Sequence, residues 1–212
     1  MPLAGRPLAE WSIAAFRAAP SIRSIVVAYP PGHAHDLAGD DVGVVDGGAT
    51  RAQSVSNALQ VVSTELVAIH DAARPLVTPE LIEEVVTTLA ADTDAAGAIA
   101  AAPVTDTIKQ VDPGAKRTFS MSGMENVRLV VEATLERGRL WAAQTPQVFH
   151  VEALREALVA DPDGAAAATD EAMMVEATGG KVLIHPAPIE NLKVTMPRDL
   201  KLAELLLSQR SG

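Results

Sequence analysis

The sequence LVAIHDAARPLVTPE, residues 66–80, contains a strand, a polar loop and a helix start in succession. The apolar run 66–69 predicts a short strand buried on both faces, as found in parallel sheets. Thr78, Pro79 and Glu80 supply a capping hydroxyl, a proline at the first helical position and an acid in the first turn, which together indicate a helix N-terminus. This order of elements is typical of an α/β protein.

The same alternation extends along the chain in both directions. Strands are predicted at 22–29, 42–45, 97–102 and 182–185, and helices at 8–19, 52–63, 79–91, 151–160, 171–178 and 197–209. We therefore expect a single domain over residues 1–212 with an α/β fold: a Rossmann-like, mostly parallel sheet with helices on both faces. Segment 110–139, where polar and apolar residues alternate irregularly, is predicted to form a protruding β-rich arm. Residues 30–32 are expected to end the first strand, and alanines 165–168 to form a flexible connection.

The composition excludes several classes of function. The 27 acidic and 17 basic residues give a formal net charge of -10, which argues against a nucleic-acid-binding surface. No apolar run reaches the roughly 18 residues of a membrane span, and no signal peptide is expected. The chain has no cysteine, so disulfides and thiolate zinc sites are excluded and a cytoplasmic location is expected.

Polar loops follow three of the predicted strands, and in parallel sheets ligands bind at this end. The loop GGATRAQSV, residues 47–55, combines glycines that allow close backbone approach with Arg51, which can bind a phosphate. Its alternative is a tight turn with a solvent-facing arginine. In the loop after residue 69, Asp71 can hold Mg²⁺ or a sugar hydroxyl and Arg74 a phosphate. The alternative there is an Asp71–Arg74 salt bridge.

Three further polar segments are open to two interpretations. Residues 105–109, TDTIK, suit an oxygen-rich ligand or form a surface turn. Residues 144–147, QTPQ, are polar but flanked by apolar residues, so their polar groups need hydrogen-bond partners. Those partners belong either to a ligand or to the chain itself in a structural turn. Lys193 lies in the strand-like segment 191–195 and either pairs with an anion or extends along a sheet edge into solvent. His70 by itself indicates a loop histidine rather than a catalyst.

Seven segments resemble, in order, the 2-C-methyl-D-erythritol 4-phosphate cytidylyltransferase family. They are PLAGRPL (2–8), GGATRAQSV (47–55), HDAARP (70–75), DTIK (106–109), LWAAQTPQ (140–147), TDE (169–171) and NLKVT (191–195). The resemblance implies transfer of a cytidylyl group from CTP to 2-C-methyl-D-erythritol 4-phosphate, with release of pyrophosphate, in the non-mevalonate route to isoprenoid precursors. It also implies a requirement for Mg²⁺ and a homodimer formed through the arm.

The resemblance further implies roles for individual residues. The residues expected to bind the nucleotide are Gly47, Gly48, Arg51, Ser54 and Ala72. Those expected to bind the acceptor substrate are Asp71, Arg74, Thr107, Thr145 and Thr169, with Asp71 also the candidate metal ligand. Arg137 and Lys193 are the expected catalytic cations that position the attacking phosphate, and Arg139 is the rival of Arg137.

Two features of the resemblance leave alternatives open. The family carries a glycine-rich loop before the segment that matches residues 2–8, and we expect this chain to begin after that loop. A non-catalytic nucleotide-binding or scaffold protein is therefore one alternative. A cytidylyltransferase acting on ribitol 5-phosphate is the other, although those relatives tend to have valine where Ala73 stands here.

Overall fold

A computed structural model describes residues 2–30, 41–121, 124–160, 164 and 168–210, with backbone alone over 113–128. The strands are β1 (Pro2–Leu3), β2 (Arg6–Pro7), β3 (Ile25–Tyr29), β4 (Val42–Asp46), β5 (Leu66–Ile69), β6 (Gly97–Pro103), β7 (Lys109–Met121), β8 (Met124–Thr134), β9 (Trp141–His150) and β10 (Val182–Pro186). The helices are α1 (Leu8–Ala18), α2 (Arg51–Leu59), α3 (Pro79–Ala90), α4 (Val151–Ala160), α5 (Glu171–Ala177) and α6 (Pro197–Arg210). The predicted strand end at 30–32 and the predicted flexible run at 165–168 fall largely outside the described residues.

The chain divides into two compact units, residues 1–101 with 143–212, and residues 102–142. The first unit contains a four-stranded sheet in the order β10-β6-β9-β5 and a two-stranded sheet of β3 and β4. The pairs β10–β6 and β3–β4 are parallel, as predicted, whereas β5 and β9 are antiparallel. The sequence did not predict β9, because the polar residues 144–147 interrupt its apolar pattern.

Helices cover both faces of the four-stranded sheet. Successive residues of a strand point to opposite faces, and β6 shows this directly. Ala98 and Ala100 pack in one buried cluster with α1 and α3, while Ile99 packs in another with α2, α4 and α5. The α/β class with two helical layers is therefore confirmed.

The second unit contains an antiparallel hairpin of β7 and β8. It lies where the sequence predicts a β-rich arm, although pairing begins at Lys109 and ends at Thr134 rather than extending to 139. The 3₁₀ turn Arg137–Arg139 follows. None of the helices in the described part of the chain is long and apolar enough to cross a membrane.

A cavity of about 540 Å³ lies in the first unit between α1, β3, α2 and β5. Most of its wall is aliphatic, from strand residues 25–28 and 66–69. Its polar lining comes in part from Arg51, Ser54 and Asp71. We regard this polar part as belonging to the candidate site, because an aliphatic wall offers a phosphorylated ligand no hydrogen bonds.

Candidate functional site

Asp71 binds two cations at the carboxyl end of β5. Its Oδ1 accepts hydrogen bonds from Nε and Nη2 of Arg51, both at 3.2 Å. Its Oδ2 lies 2.8 Å from Nζ of Lys193. The Asp71 side chain is 16% exposed, against 34% for Arg51 and 45% for Lys193. The structure thus brings together three residues that the sequence predicted separately.

A fourth charged residue, Glu171, completes the cluster. Its Oε1 accepts a hydrogen bond from Nη1 of Arg51, and its side chain is 1% exposed. Sequence reasoning missed this role, although Glu171 lies in the TDE segment that resembles the family. We call Glu171, Arg51, Asp71 and Lys193 the charged quartet.

Burial and pairing compete in setting the pKa values of the quartet. Burial by itself raises the pKa of Asp71, but the Lys193 hydrogen bond and the Arg51 charge outweigh it, so that pKa is lowered. Burial also raises the pKa of Glu171, and Arg51 offsets only part of that rise. For Arg51 burial acts against the charge, but both carboxylates outweigh it and raise the pKa. Asp71 therefore stays ionised, as the partner of two cations should.

A buried hydrogen-bond chain holds the backbone of Asp71. Its N–H donates to Oγ1 of Thr145 at 3.1 Å, and that oxygen lies 2.9 Å from Nδ1 of His70. Nε2 of His70 lies 3.1 Å from the carbonyl oxygen of Arg74 and must donate to it. Nδ1 is then the acceptor, and the Thr145 hydroxyl donates to it. Thr145 is 3% exposed, so its hydroxyl positions Asp71; a direct contact with substrate stays a prediction.

The surroundings of His70 favour its neutral form. Its ring packs against Phe16 with centroids 5.2 Å apart. Burial lowers the pKa of His70 to about 4. A proton on Nδ1 would also remove the acceptor that the Thr145 hydroxyl uses. His70 is therefore a structural group, as its sequence context indicated.

Arg74 does not form the salt bridge with Asp71 that was the alternative interpretation of this loop. Its Nη1 donates to the carbonyl oxygen of Asn191 at 2.8 Å, and Nη2 donates to that of Ala143 at 3.3 Å. Burial lowers its pKa, with the Asp71 charge opposing. Asp71 pairs instead with Arg51 and Lys193, because their side chains reach it from other elements. Arg74 thus links its own loop to the backbone at residues 143 and 191.

Lys193 lies in an irregular segment rather than in the strand that the sequence suggested. Val194 donates its N–H to the carbonyl oxygen of Ala73 at 2.7 Å, and its side chain packs with Leu3 and Leu76. Asn191, 1% exposed, donates to the side chain of Gln144 and to the carbonyl of residue 145. The segment is thus anchored on both sides of Lys193, whose ammonium pairs with the carboxylate of Asp71; binding of a ligand anion stays a prediction.

The glycine turn before α2 forms its own hydrogen bonds. Gly48 donates its N–H to Oγ of Ser54 at 3.0 Å, and Thr50 caps α2 by accepting from the N–H of Gln53. A Cβ on Gly48 would lie 2.2 Å from Cβ of Gln53, so a larger residue would force the turn apart. A Cβ on Gly47 would lie 2.9 Å from the carbonyl oxygen of Tyr29. Binding of a nucleotide by these residues stays a prediction.

The remaining predicted residues are spread over both units. Ala72 is exposed beside Asp71, and Thr169 is exposed just before the Asp170 cap of α5. Thr107 and Arg137 belong to the second unit. There Nη1 of Arg137 donates to the carbonyl oxygen of residue 105 at 2.8 Å.

Asp71 is the candidate metal ligand that the sequence identified. Among the described residues, no group of three or more His, Cys, Asp or Glu side chains could hold a metal ion. Both oxygens of Asp71 already contact cations. Mg²⁺ is often held by one or two carboxylates together with substrate phosphates. Metal binding by Asp71 would have to compete with Arg51 and Lys193, and it stays a prediction.

The fold and the site together define the chain as an α/β protein built to bind phosphorylated ligands. Cations and a glycine turn lie at the carboxyl ends of strands, beside a helix N-terminus, where such proteins bind anions. The sequence profile of 2-C-methyl-D-erythritol 4-phosphate cytidylyltransferase matches residues 1–209. The chain belongs to the 2-C-methyl-D-erythritol 4-phosphate cytidylyltransferase family.

Individual relatives agree with this assignment. The cytidylyltransferases of that name from Acidobacterium capsulatum and Cereibacter sphaeroides are 37% and 40% identical to the chain. The alignments cover 99% and 100% of this chain and 87% and 88% of those proteins. The crystal structure of the Thermus thermophilus protein is similar with a TM-score of 0.79 and 32% identity, covering 98% of this chain and 92% of that one.

Proposed function

We propose that this protein is a cytidylyltransferase that transfers a cytidylyl group from CTP to 2-C-methyl-D-erythritol 4-phosphate. The products are 4-diphosphocytidyl-2-C-methyl-D-erythritol and pyrophosphate. Family membership over residues 1–209 supports this reaction. The structural observation that carries the proposal is the contact of Lys193 and Arg51 with Asp71 at the carboxyl end of β5.

The reaction joins two anions, so charge is its main obstacle. An oxygen of the acceptor phosphate attacks the α-phosphorus of CTP, and the bond from that phosphorus to the β-phosphate oxygen breaks. The electron pair leaves with pyrophosphate, and the ionised acceptor needs no general base. Catalysis then depends on alignment and on cations that reduce repulsion. We assign Lys193 to this role because its ammonium is partly exposed and held by Asp71. Arg137 is the second cation that we propose.

Mg²⁺ is the cofactor that we propose for this reaction. When bound to the triphosphate it would neutralise developing charge on the leaving group. The chain's own contribution would be Asp71, whose carboxylate is kept ionised by two cations. Calorimetry of CTP binding with and without Mg²⁺ would test this. Equal affinity in both conditions would contradict a metal requirement in binding.

We propose a homodimer formed through the β7–β8 hairpin. Leu129 and Val131 are two residues apart on β8 and therefore point to the same face, and they are 53% and 54% exposed. Exposed apolar neighbours of this kind often mark a protein interface. Leu129→Glu should convert the dimer to a monomer in analytical ultracentrifugation. Val159→Glu is the matched control, since Val159 is 75% exposed on α4. A dimer that survives Leu129→Glu would refute the hairpin interface.

We place the reaction in the cytoplasm. The chain's 212 residues include no cysteine, so no disulfide can form. Disulfides are typical of oxidising compartments, and their absence is compatible with the reducing cytoplasm. Fractionation of the producing cells, followed by detection of the protein, tests this location. Recovery in the membrane or secreted fraction would contradict it.

The decisive test is pyrophosphate release from CTP with each of two acceptors. We expect release with 2-C-methyl-D-erythritol 4-phosphate and none with ribitol 5-phosphate. Lys193→Ala should abolish release while leaving the circular dichroism spectrum unchanged, because the Lys193 side chain is partly exposed. Lys201→Ala, an exposed lysine on α6, is the control that should leave release intact.

Other outcomes separate the alternatives. Release with ribitol 5-phosphate alone would establish the related activity. Silence with both acceptors, together with measurable CTP binding by calorimetry, would favour a nucleotide-binding protein without turnover. Unchanged turnover in Lys193→Ala would contradict its proposed role.

A further inference from the structure

We propose that Glu171 is a positioning residue for the cytidylyl transfer, acting through Arg51 on the pair of Asp71 and Lys193. The inference rests on the proposed function for its reaction. It rests on the structure for its geometry, because the contacts run in sequence from Glu171 to Arg51, from Arg51 to Asp71, and from Asp71 to Lys193. Glu171 lies at the buried end of this series and Lys193 at the exposed end.

Glu171 is held on a rigid element. It is the first residue of α5, where the helix N-terminus favours a carboxylate. Asp170 caps the helix by accepting from the N–H of Met173 at 3.0 Å, and its other oxygen accepts from Nε2 of Gln147 at 3.0 Å. The adjacent Ala172 is buried in the core. These contacts fix the backbone from which the Glu171 side chain extends to Arg51.

The shape of the guanidinium transmits this position to Asp71. A guanidinium is planar, so fixing one of its nitrogens restricts the direction of the others. Glu171 holds Nη1, while Nε and Nη2 both point to Oδ1 of Asp71. Oδ2 is left for Lys193. Glu171 thus influences which oxygen of Asp71 each cation uses.

Charge balance makes the same prediction. The quartet contains two carboxylates and two cations. Replacing Glu171 with glutamine would leave Arg51 with one carboxylate partner, Asp71, instead of two. An unbalanced Arg51 would be free to turn towards an anionic substrate, which strengthens ground-state binding and misaligns Asp71 and Lys193. We therefore expect kcat to fall without a rise in the KM for CTP.

A purely structural ion pair predicts something else. Loss of a buried partner then lowers stability and the fraction of folded enzyme, and the surviving enzyme keeps its kinetic constants. The kcat per folded enzyme and the contact between Lys193 and Asp71 would not change. These two readouts separate positioning from simple stabilisation.

The experiment compares the wild type with Glu171→Gln and Glu176→Gln. Glu176 is exposed on the same helix and provides the matched control. In Glu171→Gln we expect kcat to fall about 10- to 100-fold, the range known for hydrogen-bonded partners of metal-binding side chains, which orient a functional group in the same way. The KM for CTP should stay the same or fall. Glu176→Gln should stay within about twofold of the wild type.

Nuclear magnetic resonance supplies a readout that does not depend on turnover. The ammonium signal of Lys193, which lies at the far end of the series from Glu171, should shift in Glu171→Gln and remain unchanged in Glu176→Gln. An unchanged Lys193 signal in Glu171→Gln would overturn the proposal, whatever the activity. If Glu171→Gln does not fold, Glu171→Asp keeps the charge but withdraws it by one methylene, and the same two outcomes apply to it.

A double-mutant cycle tests whether Glu171 acts through Arg51. Arg51→Gln and Glu171→Gln combined should lower kcat no more than Arg51→Gln alone, because residues that act as a unit are not additive. Additive losses would overturn the proposal. A wild type that releases no pyrophosphate with either acceptor would refute the proposed function, while the Lys193 signal would still decide the role of Glu171.

Discussion

The neutral His70 side chain should make the stability of the protein depend on pH in a defined window. Burial lowers its pKa from 6.5 to about 4 in the folded protein. The unfolded chain therefore binds a proton on this residue at a pH where the folded chain does not. Stability is fully present above about pH 6.5 and is lost as the pH falls towards 4.

The size of this effect follows from the same values. One pKa unit corresponds to about 1.4 kcal/mol, so the shift has a ceiling of about 3 kcal/mol. Between pH 7 and pH 5 the linkage relation gives a loss of about 2 kcal/mol. His70 borders the cavity, where water can reach it, so we treat this figure as an upper bound.

Urea unfolding followed by tryptophan fluorescence measures the effect. The free energy of unfolding should be determined between pH 5 and pH 8 for the wild type and for His70→Gln, which can form hydrogen bonds but cannot titrate. Other ionisable groups also contribute to the pH dependence of stability, so the informative quantity is the difference between the two proteins. We expect that difference to change by about 2 kcal/mol between pH 7 and pH 5, to the disadvantage of the wild type.

A control variant distinguishes the effect of replacing His70 from the effect of replacing any histidine. His150→Gln removes a histidine at the end of β9, where its contact with Glu65 is 3.9 Å long. A constant difference between the wild type and His70→Gln from pH 5 to pH 7 would refute the reasoning. It would mean that His70 takes up a proton as easily in the folded protein as in the unfolded chain.

Three further predictions concern the fold. Asp170→Ala should destabilise the protein by about 1–2 kcal/mol in urea unfolding, because α5 loses its N-cap and Gln147 loses a partner. Ile82→Ala should cost about 2–5 kcal/mol, since Ile82 is 0% exposed on the buried face of α3. Hydrogen exchange should be slower for the amides of β6, which pairs with strands on both sides, than for those of β3, which pairs with β4 alone among the described strands; equal protection would contradict the strand order.

The sequence predicted the helices and most strands of the first unit because their signals are local. Thr78 accepts from the N–H of Leu81, as its place before Pro79 indicated. The strand β9 was missed because a polar segment in its middle breaks the apolar pattern. That segment is nevertheless buried, since Gln144 and Gln147 find partners in distant parts of the chain.

The sequence predicted which residues belong to the candidate site more fully than it predicted the contacts between them. Asp71, Arg51 and Lys193 were each identified, yet the salt bridge considered for Asp71 was with Arg74. The alternative failed because the guanidinium of Arg74 reaches backbone carbonyls of two other segments. The choice among three nearby cations depends on side-chain directions in the folded chain.

The sequence by itself determined the α/β class, the caps of the helices, the family and the identity of most charged residues at the site. These follow from periodicity, from hydrogen bonding between near neighbours and from ordered motifs. The tertiary structure decided the antiparallel place of β9, the burial of His70 and the entire series from Glu171 to Lys193. Arg51 and Glu171 are 120 residues apart, and no local pattern records that contact. Strand order and packing bring the two side chains together, and burial then makes their pairing necessary.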